Sequence, residues 1–402
     1  MSVRAQQSER ARSVAVRSVV WLTMILACLA LSGVFATRAS AVLVTCTLDR
    51  GTVRYGQTVT VTGTVEGAIA GDTVTIALDG TLITTALTDD LGQFSAAFVP
   101  LTGGIVTATS ADASVGPDLP LIVLPNVTTS VGKMVPFGRS VLTLIVDPPT
   151  YRGAVVARIW HHNKIVKRVR FTVRAERTVL RLPTKGVGRF RVELLLAADA
   201  GLGARSEWVI MDVPWRRVAV GTQGADVGAL LRRIKWLRFR IPGESTKLSF
   251  NASQSLIAFQ KAHGLSRDGV FGRDDWHHLD TAKRIKPKYT SPTLHIEVDK
   301  TRQILMVVKS GAVLGIIPVS TGATGNTPEG SFSILRKNLT STALYGSAIL
   351  FRSMTFHGNF AIHGYPDVPV YPASHGCVRE PEWVADWVYD QTVVGERVYV
   401  YH

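Results

Sequence analysis

The chain has 402 residues, 46% hydrophobic and 19% charged, a balance that suits several packed domains and excludes a largely disordered protein. Its formal net charge is +15, and the surplus lies in the middle: residues 127–213 and 214–289 each hold 15 basic and 6 acidic side chains, against 2 and 8 in 42–126 and 8 and 9 in 290–402.

The N-terminus sets Arg4, Arg10, Arg12 and Arg17 before an apolar run from Val19 to Ala36, followed by the small-residue site Ala39-Ser40-Ala41. This is the layout of an export signal over residues 1–41. The run approaches membrane-spanning length, so a retained anchor is the alternative to a cleaved signal peptide. Cys28 belongs to that segment, because Leu26 suits a lipoprotein processing site poorly. The expected location is the cell wall or the extracytoplasmic face. There the basic middle would meet wall polymers and lipid headgroups rather than a nucleic acid. Cys46 and Cys377 are the cysteines left, too few and too far apart for a disulfide framework.

Residues 43–125 alternate polar and apolar side chains, as in Thr58-Val59-Thr60-Val61-Thr62, with turn signals at Asp79-Gly80 and Asp89-Asp90-Leu91-Gly92. Short alternating strands between regular turns predict a β-sandwich. The stretch Thr88-Asp89-Asp90-Leu91-Gly92-Gln93-Phe94 resembles bacterial immunoglobulin-like stalk domains. Residues 127–213 repeat the style, with Val141 to Val146 and Arg189 to Leu194, and predict a second immunoglobulin-like sandwich; spacer is the expected role of both.

From Gly221 the period becomes helical: Val227, Leu230, Leu231, Ile234 and Leu237 recur at i, i+3, i+4 and i+7. Asn251 and Gln254 suggest a capping box before Leu256, and Gly264 a helix stop. Periodicity indicates a small helical domain over about 217–285. The runs Ile257-Ala258-Phe259-Gln260-Lys261-Ala262-His263-Gly264-Leu265 and Asp268-Gly269-Val270-Phe271-Gly272 resemble the three-helix peptidoglycan-binding domain family, and that resemblance implies glycan binding. Residues 283–292, with four basic residues and two prolines, read as a linker. His161-His162 and His277-His278 read as surface or helix-flank residues.

Residues 290–402 return to alternating strands, predict a mainly antiparallel β domain, and include a late helix opened by Pro381. Here Ala361-Ile362-His363-Gly364 precedes Ser374-His375-Gly376-Cys377-Val378-Arg379. A thiol attacks well near neutral pH when a base takes its proton, and a histidine can return that proton to a leaving amine. Gly376 permits a tight turn that exposes the amides of Gly376 and Cys377 to a developing oxyanion. These residues predict Cys/His acyl transfer. Zinc binding by His357, His363, His375 and Cys377 is disfavoured, since neither a histidine-glutamate helical motif nor paired cysteines is present.

The same two motifs, with Val319-Ser320-Thr321-Gly322-Ala323-Thr324-Gly325-Asn326-Thr327-Pro328-Glu329-Gly330, resemble the L,D-transpeptidase (YkuD-type) catalytic family. The resemblance implies Cys377 as nucleophile and His363 as general base, with the Gly364 carbonyl holding the imidazole tautomer. It further implies an oxyanion turn of His375, Gly376 and Cys377, with Ser374 and Arg379 supporting it or meeting the donor stem. A substrate-covering lid would span Thr340 to Phe356 with Tyr345, and His357 is a decoy for the base. The implied reaction, carried out by a monomer without a cofactor or metal, joins peptidoglycan stem peptides: a cysteine acyl-enzyme forms, D-alanine leaves a tetrapeptide stem, and a second stem's amine accepts. The alternatives are an L,D-carboxypeptidase or cross-link hydrolase, attachment of protein to the wall by the same site, and a non-catalytic peptidoglycan-binding scaffold.

Overall fold

The computed structural model describes residues 42–174, 177–343 and 349–402. The export segment and Tyr345 lie outside them. The chain is multidomain and mainly β.

Eight strands come first: β1 (Val44–Leu48), β2 (Thr52–Arg54), β3 (Val59–Val65), β4 (Thr73–Leu78), β5 (Thr81–Leu87), β6 (Gln93–Phe98), β7 (Gly104–Thr109) and β8 (Leu119–Leu124). They form two sheets, β1-β3-β6 and β2-β8-β7-β4-β5. Alternate residues such as Val59 and Val61 in β3 point inward, as the sequence pattern requires. Seven more strands follow: β9 (Asn126–Val131), β10 (Arg139–Asp147), β11 (Ala154–His161), β12 (Lys164–Thr172), β13 (Arg177–Pro183), β14 (Gly188–Leu196) and β15 (Arg205–Val213). Their sheets run β13-β10-β9 and β12-β11-β14-β15. On β12 Lys164, Lys167, Arg168 and Arg170 face outward while Val169 and Phe171 are half-buried. One continuous apolar cluster runs through all four sheets, and Gly103 donates its N–H to the Gly201 carbonyl across the two units at 2.8 Å.

Helices α1 (Ala225–Trp236), α2 (Phe250–His263) and α3 (Arg273–Thr281) come next. The cap of α2 departs from expectation: Ser249 is the N-cap, its Oγ accepting from the Ala252 N–H at 3.1 Å. Gln254 is therefore inside the helix, where its side-chain oxygen accepts the Trp383 indole N–H at 2.7 Å. Gly264 ends the helix with φ 67°, a conformation that costs a Cβ-free residue little.

The C-terminal part contains β16 (Leu294–Asp299), β17 (Ile304–Lys309), β18 (Ala312–Pro318), β19 (Gly330–Ser333), β20 (Arg336–Thr342), β21 (Ile349–His357), β22 (Phe360–Tyr365), β23 (Val378–Pro381), α4 (Glu382–Gln391) and β24 (Arg397–Tyr401). Two sheets result, β18-β17-β16-β24-β19 and β20-β21-β22-β23. Pairing is antiparallel except at β16/β24 and β22/β23. Between the sheets Ile296, Val298, Met354, Ile362, Val378 and Val384 form the core. The outer face of the first sheet is covered by the helices: Ile304, Met306, Val308, Val313 and Ile316 share one apolar cluster with Leu230, Phe239, Leu256 and Phe259.

The segment expected as a linker is fastened down. The N–H groups of Lys288 and Tyr289 donate to the Glu297 carboxylate at 2.9 and 2.8 Å, and the Tyr289 ring stacks on Tyr399. Lys261 of α2 is 1% exposed, and its Nζ donates to the Val319 carbonyl at 2.7 Å. Desolvation pulls its pKa down to about 7 from 10.5, with the nearby Arg267 acting in the same direction. Glu380 on β23 is fully buried, and neither carboxylate oxygen has a hydrogen-bond partner. Burial holds its pKa well above the usual carboxylate range.

Two pH dependences follow. Between about pH 7 and 10.5 the unfolded chain binds more protons at Lys261 than the folded one, so this group's contribution to stability grows as pH rises through that window. The thermal midpoint of wild type relative to Lys261→Met should therefore shift in favour of wild type from pH 7 to 10, and a flat difference would refute the assignment. Glu380 has the opposite sign, because its raised folded-state pKa means stability is lost as pH climbs from about 4.5. Glu380→Gln should gain on wild type in denaturant midpoint between pH 5 and 8.

Candidate active site

The site is built on the parallel pair β22 and β23. Their register sets Ile362 beside Val378 and His363 beside Arg379. Side chains alternate along a strand, and paired neighbours in a sheet share a face. Ala361, His363, Tyr365 and Arg379 therefore occupy one face, which Cys377, the residue just before β23, joins with its thiol by the Ala361 amide and Arg379, while Ile362, Gly364, Val378 and Glu380 occupy the other, with Ala385 of α4 packed against the Gly364 position. Cys377 sits one strand over and two residues along from His363. Of the residues expected to act, the thiol and the imidazole are brought to the same face.

His363 is 2% exposed, and its Nδ1 lies 2.9 Å from the Gly364 carbonyl oxygen. A carbonyl only accepts, so Nδ1 carries the hydrogen and Nε2 keeps its lone pair. Burial lowers the imidazole pKa, opposed in part by the Gly364 bond, and the weaker effect of Arg379 acts with burial. The Cys377 thiol is pushed up by burial, partly offset by the Ala361 backbone amide and Arg379. Its Sγ lies 3.9 Å from the Asn359 carbonyl. Both groups are thus favoured in their neutral forms.

The turn before Cys377 is internally cross-braced. Ser374 Oγ donates to the Cys377 carbonyl at 2.6 Å and accepts the Gly376 N–H at 3.0 Å. The Gly376 amide, expected to face an oxyanion, is thereby engaged within the turn. Gly376 has φ 127°, and a Cβ there would lie 2.2 Å from the Phe360 ring, so glycine is required both by conformation and by space. The segment after β18 holds the turn from below. Asn326 Nδ2 donates to the His375 carbonyl at 2.9 Å, Thr327 Oγ1 to the Gly376 carbonyl at 2.8 Å, and Ser320 and Arg379 exchange backbone hydrogen bonds. Lys300 Nζ in turn ties the Gly325 and Thr327 carbonyls to Glu329. Asn326 and Thr327 stand in the 319–330 segment, but nothing in the sequence marks their side chains as the support.

Arg379 lies over the Tyr365 ring at 4.4 Å and donates to the Ala373 carbonyl at 3.3 Å. It joins the loop between the two motifs to the site. His357 pairs with Phe360, whose side chain belongs to the face opposite His363, and its ring lies 4.8 Å from Phe332. The His357 ring also stacks on that of Phe360, at 6.3 Å. A broad groove of about 1120 Å³ lies elsewhere, along the first unit beside Cys46. Its titratable lining is Cys46 and Asp89, without a histidine, so it lacks the base that thiol chemistry needs.

Residues 293–400 match the L,D-transpeptidase catalytic domain family, YkuD. A crystallised L,D-transpeptidase from Xylanimonas cellulosilytica is 32% identical over 47% of this chain and 100% of its own, with a TM-score of 0.45. One from Stackebrandtia nassauensis is 23% identical over 46% and 94%, TM-score 0.32, and Mycobacterium tuberculosis L,D-transpeptidase 1 is 24% identical over 27% and 61%, TM-score 0.23. Comparison with curated proteins returned no match. By this domain match, residues 293–400 are an L,D-transpeptidase catalytic domain of the YkuD family, a class of transferases.

The raised thiol pKa has a direct readout. Alkylation of Cys377 by iodoacetamide should follow a titration with its midpoint above the ordinary cysteine value of 9.0, and a midpoint near 6 would contradict the burial described here.

Proposed function

We propose that this protein cross-links peptidoglycan through a Cys377 acyl-enzyme. The thiol attacks the carbonyl that precedes the terminal D-alanine of a tetrapeptide stem. His363 Nε2 takes the thiol proton as the C–S bond forms and delivers it to the departing D-alanine amine. A second stem's amine then attacks the thioester, regenerating the thiol. The observation that carries this reading is the shared face of Cys377 and His363, with Nδ1 of the imidazole committed to the Gly364 carbonyl.

Because both partners rest neutral, the proton moves during attack rather than beforehand. The Cys377 amide is the oxyanion donor in this reading, and the Ser374, Asn326 and Thr327 braces keep the turn from relaxing as charge develops. Ser374 acts through the turn rather than on the stem. Arg379 borders the donor. The helical unit, residues 217–285, is read as a glycan-binding module, and the immunoglobulin-like units 43–125 and 127–213 as spacers on an exported chain.

Protein incubated with disaccharide-tetrapeptide should gain, by intact-mass spectrometry, substrate minus D-alanine. Cys377→Ala should abolish the adduct, His363→Ala should slow it by about 10²–10⁴-fold, and His357→Ala should leave it unchanged. Acylation should hold down to pH values below the ordinary histidine value of 6.5. An adduct that survives in Cys377→Ala would overturn the reading. Muropeptide product analysis then separates cross-linking from hydrolysis.

A further inference from the structure

Away from the thiol, three metal-ligating side chains meet where the second β unit touches the helices. His161 ends β11, His162 opens the turn into β12, and Asp280 lies in the last turn of α3. His161 Nε2 and His162 Nε2 are 3.4 and 3.6 Å from the same oxygen, Asp280 Oδ2, and the three ligand atoms all lie within 4.8 Å of one another. Neighbours along a strand point to opposite faces. Here His162 and Asn163 take left-handed backbone, with φ 47° and 58°, and the turn brings the His162 ring back to 3.9 Å from that of His161.

A hydrogen-bonded cluster is the simpler account, and it meets a difficulty. His161 is buried flat against Phe190, with Nδ1 3.3 Å from the Arg189 carbonyl oxygen. That carbonyl accepts only, so Nδ1 bears the hydrogen and a neutral ring aims its Nε2 lone pair at a carboxylate whose side chain is 1% exposed. Two lone pairs face each other unless a cation lies between them, either a proton or a metal ion. The spacing suits a metal: with bonds of about 2.0–2.2 Å to zinc, neighbouring ligand atoms of a tetrahedron stand about 3.3–3.6 Å apart. The bond from Nδ1 to a backbone carbonyl is the orienting contact that metal-bound imidazoles use.

The carboxylate is held in place. The Val187 N–H donates to it at 3.2 Å, and a Cβ on Gly186 would come within 2.3 Å of Oδ1. Arg233 is the neighbouring charge that opposes a cation, and its Nη2 is committed to the Leu279 and Ala282 carbonyls. The His162 side chain, 54% exposed, can turn to close the third edge and leaves a fourth position to water.

We propose that His161, His162 and Asp280 bind one divalent transition-metal ion of the zinc class, fastening the second β unit to α3. Two imidazoles and one carboxylate select zinc, cobalt or nickel over calcium and magnesium. The site is independent of the acyl-transfer reading.

Metal-free full-length protein, as wild type and as Cys377→Ala to remove the competing thiol, is titrated with Zn²⁺ and Co²⁺. Expected are one ion per chain in both, tetrahedral cobalt absorption without a thiolate charge-transfer band, and a raised melting temperature. His162→Ala should melt like metal-free wild type when metal is absent, because that ring is exposed, yet bind zinc at least about tenfold more weakly. Asp280→Asn should lose binding; should it misfold, His162→Ala decides alone. Absence of zinc uptake at about 100 μM free metal, or uptake unchanged in His162→Ala, would overturn the proposal.

Discussion

The proposed acyl transfer depends on the register of one parallel strand pair. A slip of one residue between β22 and β23 would carry Cys377 to the core face beside Ile362 and leave His363 without a partner. The register is secured on both sides. Below it, α4 and the apolar residues Ile362, Val378 and Val384 close the core. At its edge Ser320 exchanges backbone hydrogen bonds with Arg379, which ties β23 to the first sheet. Packing between two sheets thus becomes the placement of the Cys377 thiol.

Burial at this site sets the protonation states as well as the geometry. A thiol and an imidazole in contact are often imagined as an ion pair, but a low-dielectric setting penalises both charges at once. Here desolvation is the largest effect on each group and acts in opposite directions on the two pKa values. A resting neutral pair is less prone to alkylation and oxidation than a standing thiolate.

Much of this was legible in the chain. Alternation between Thr58 and Thr62 marked a half-buried strand, and the spacing of Val227, Leu230 and Ile234 marked a helix, because each pattern is a local consequence of burying one face. Cys377 and His363 could be read as candidates because short motifs keep chemistry and backbone together, as the glycine at 376 beside the Phe360 ring demonstrates. What could not be read were meetings set by tertiary packing. Lys261 carries the signature of a solvated helix residue yet lies 1% exposed against Val319. His161 and Asp280, 119 positions apart, come together only through the contact between a sheet and a helix. The Ser249 cap displaced the Asn251 reading because serine two residues earlier already satisfied the free Ala252 amide.

The apolar cluster common to the helices and to β17 and β18 has a bearing on how such proteins are assembled from parts. The family match begins at residue 293, but five apolar side chains of that domain, from Ile304 to Ile316, have their shelter in residues that precede it. The segment that inheritance shuffles and the segment that water permits to stand alone are therefore different lengths of polypeptide. A gene fusion that borrowed the catalytic portion alone would inherit its chemistry together with a wet, oily back.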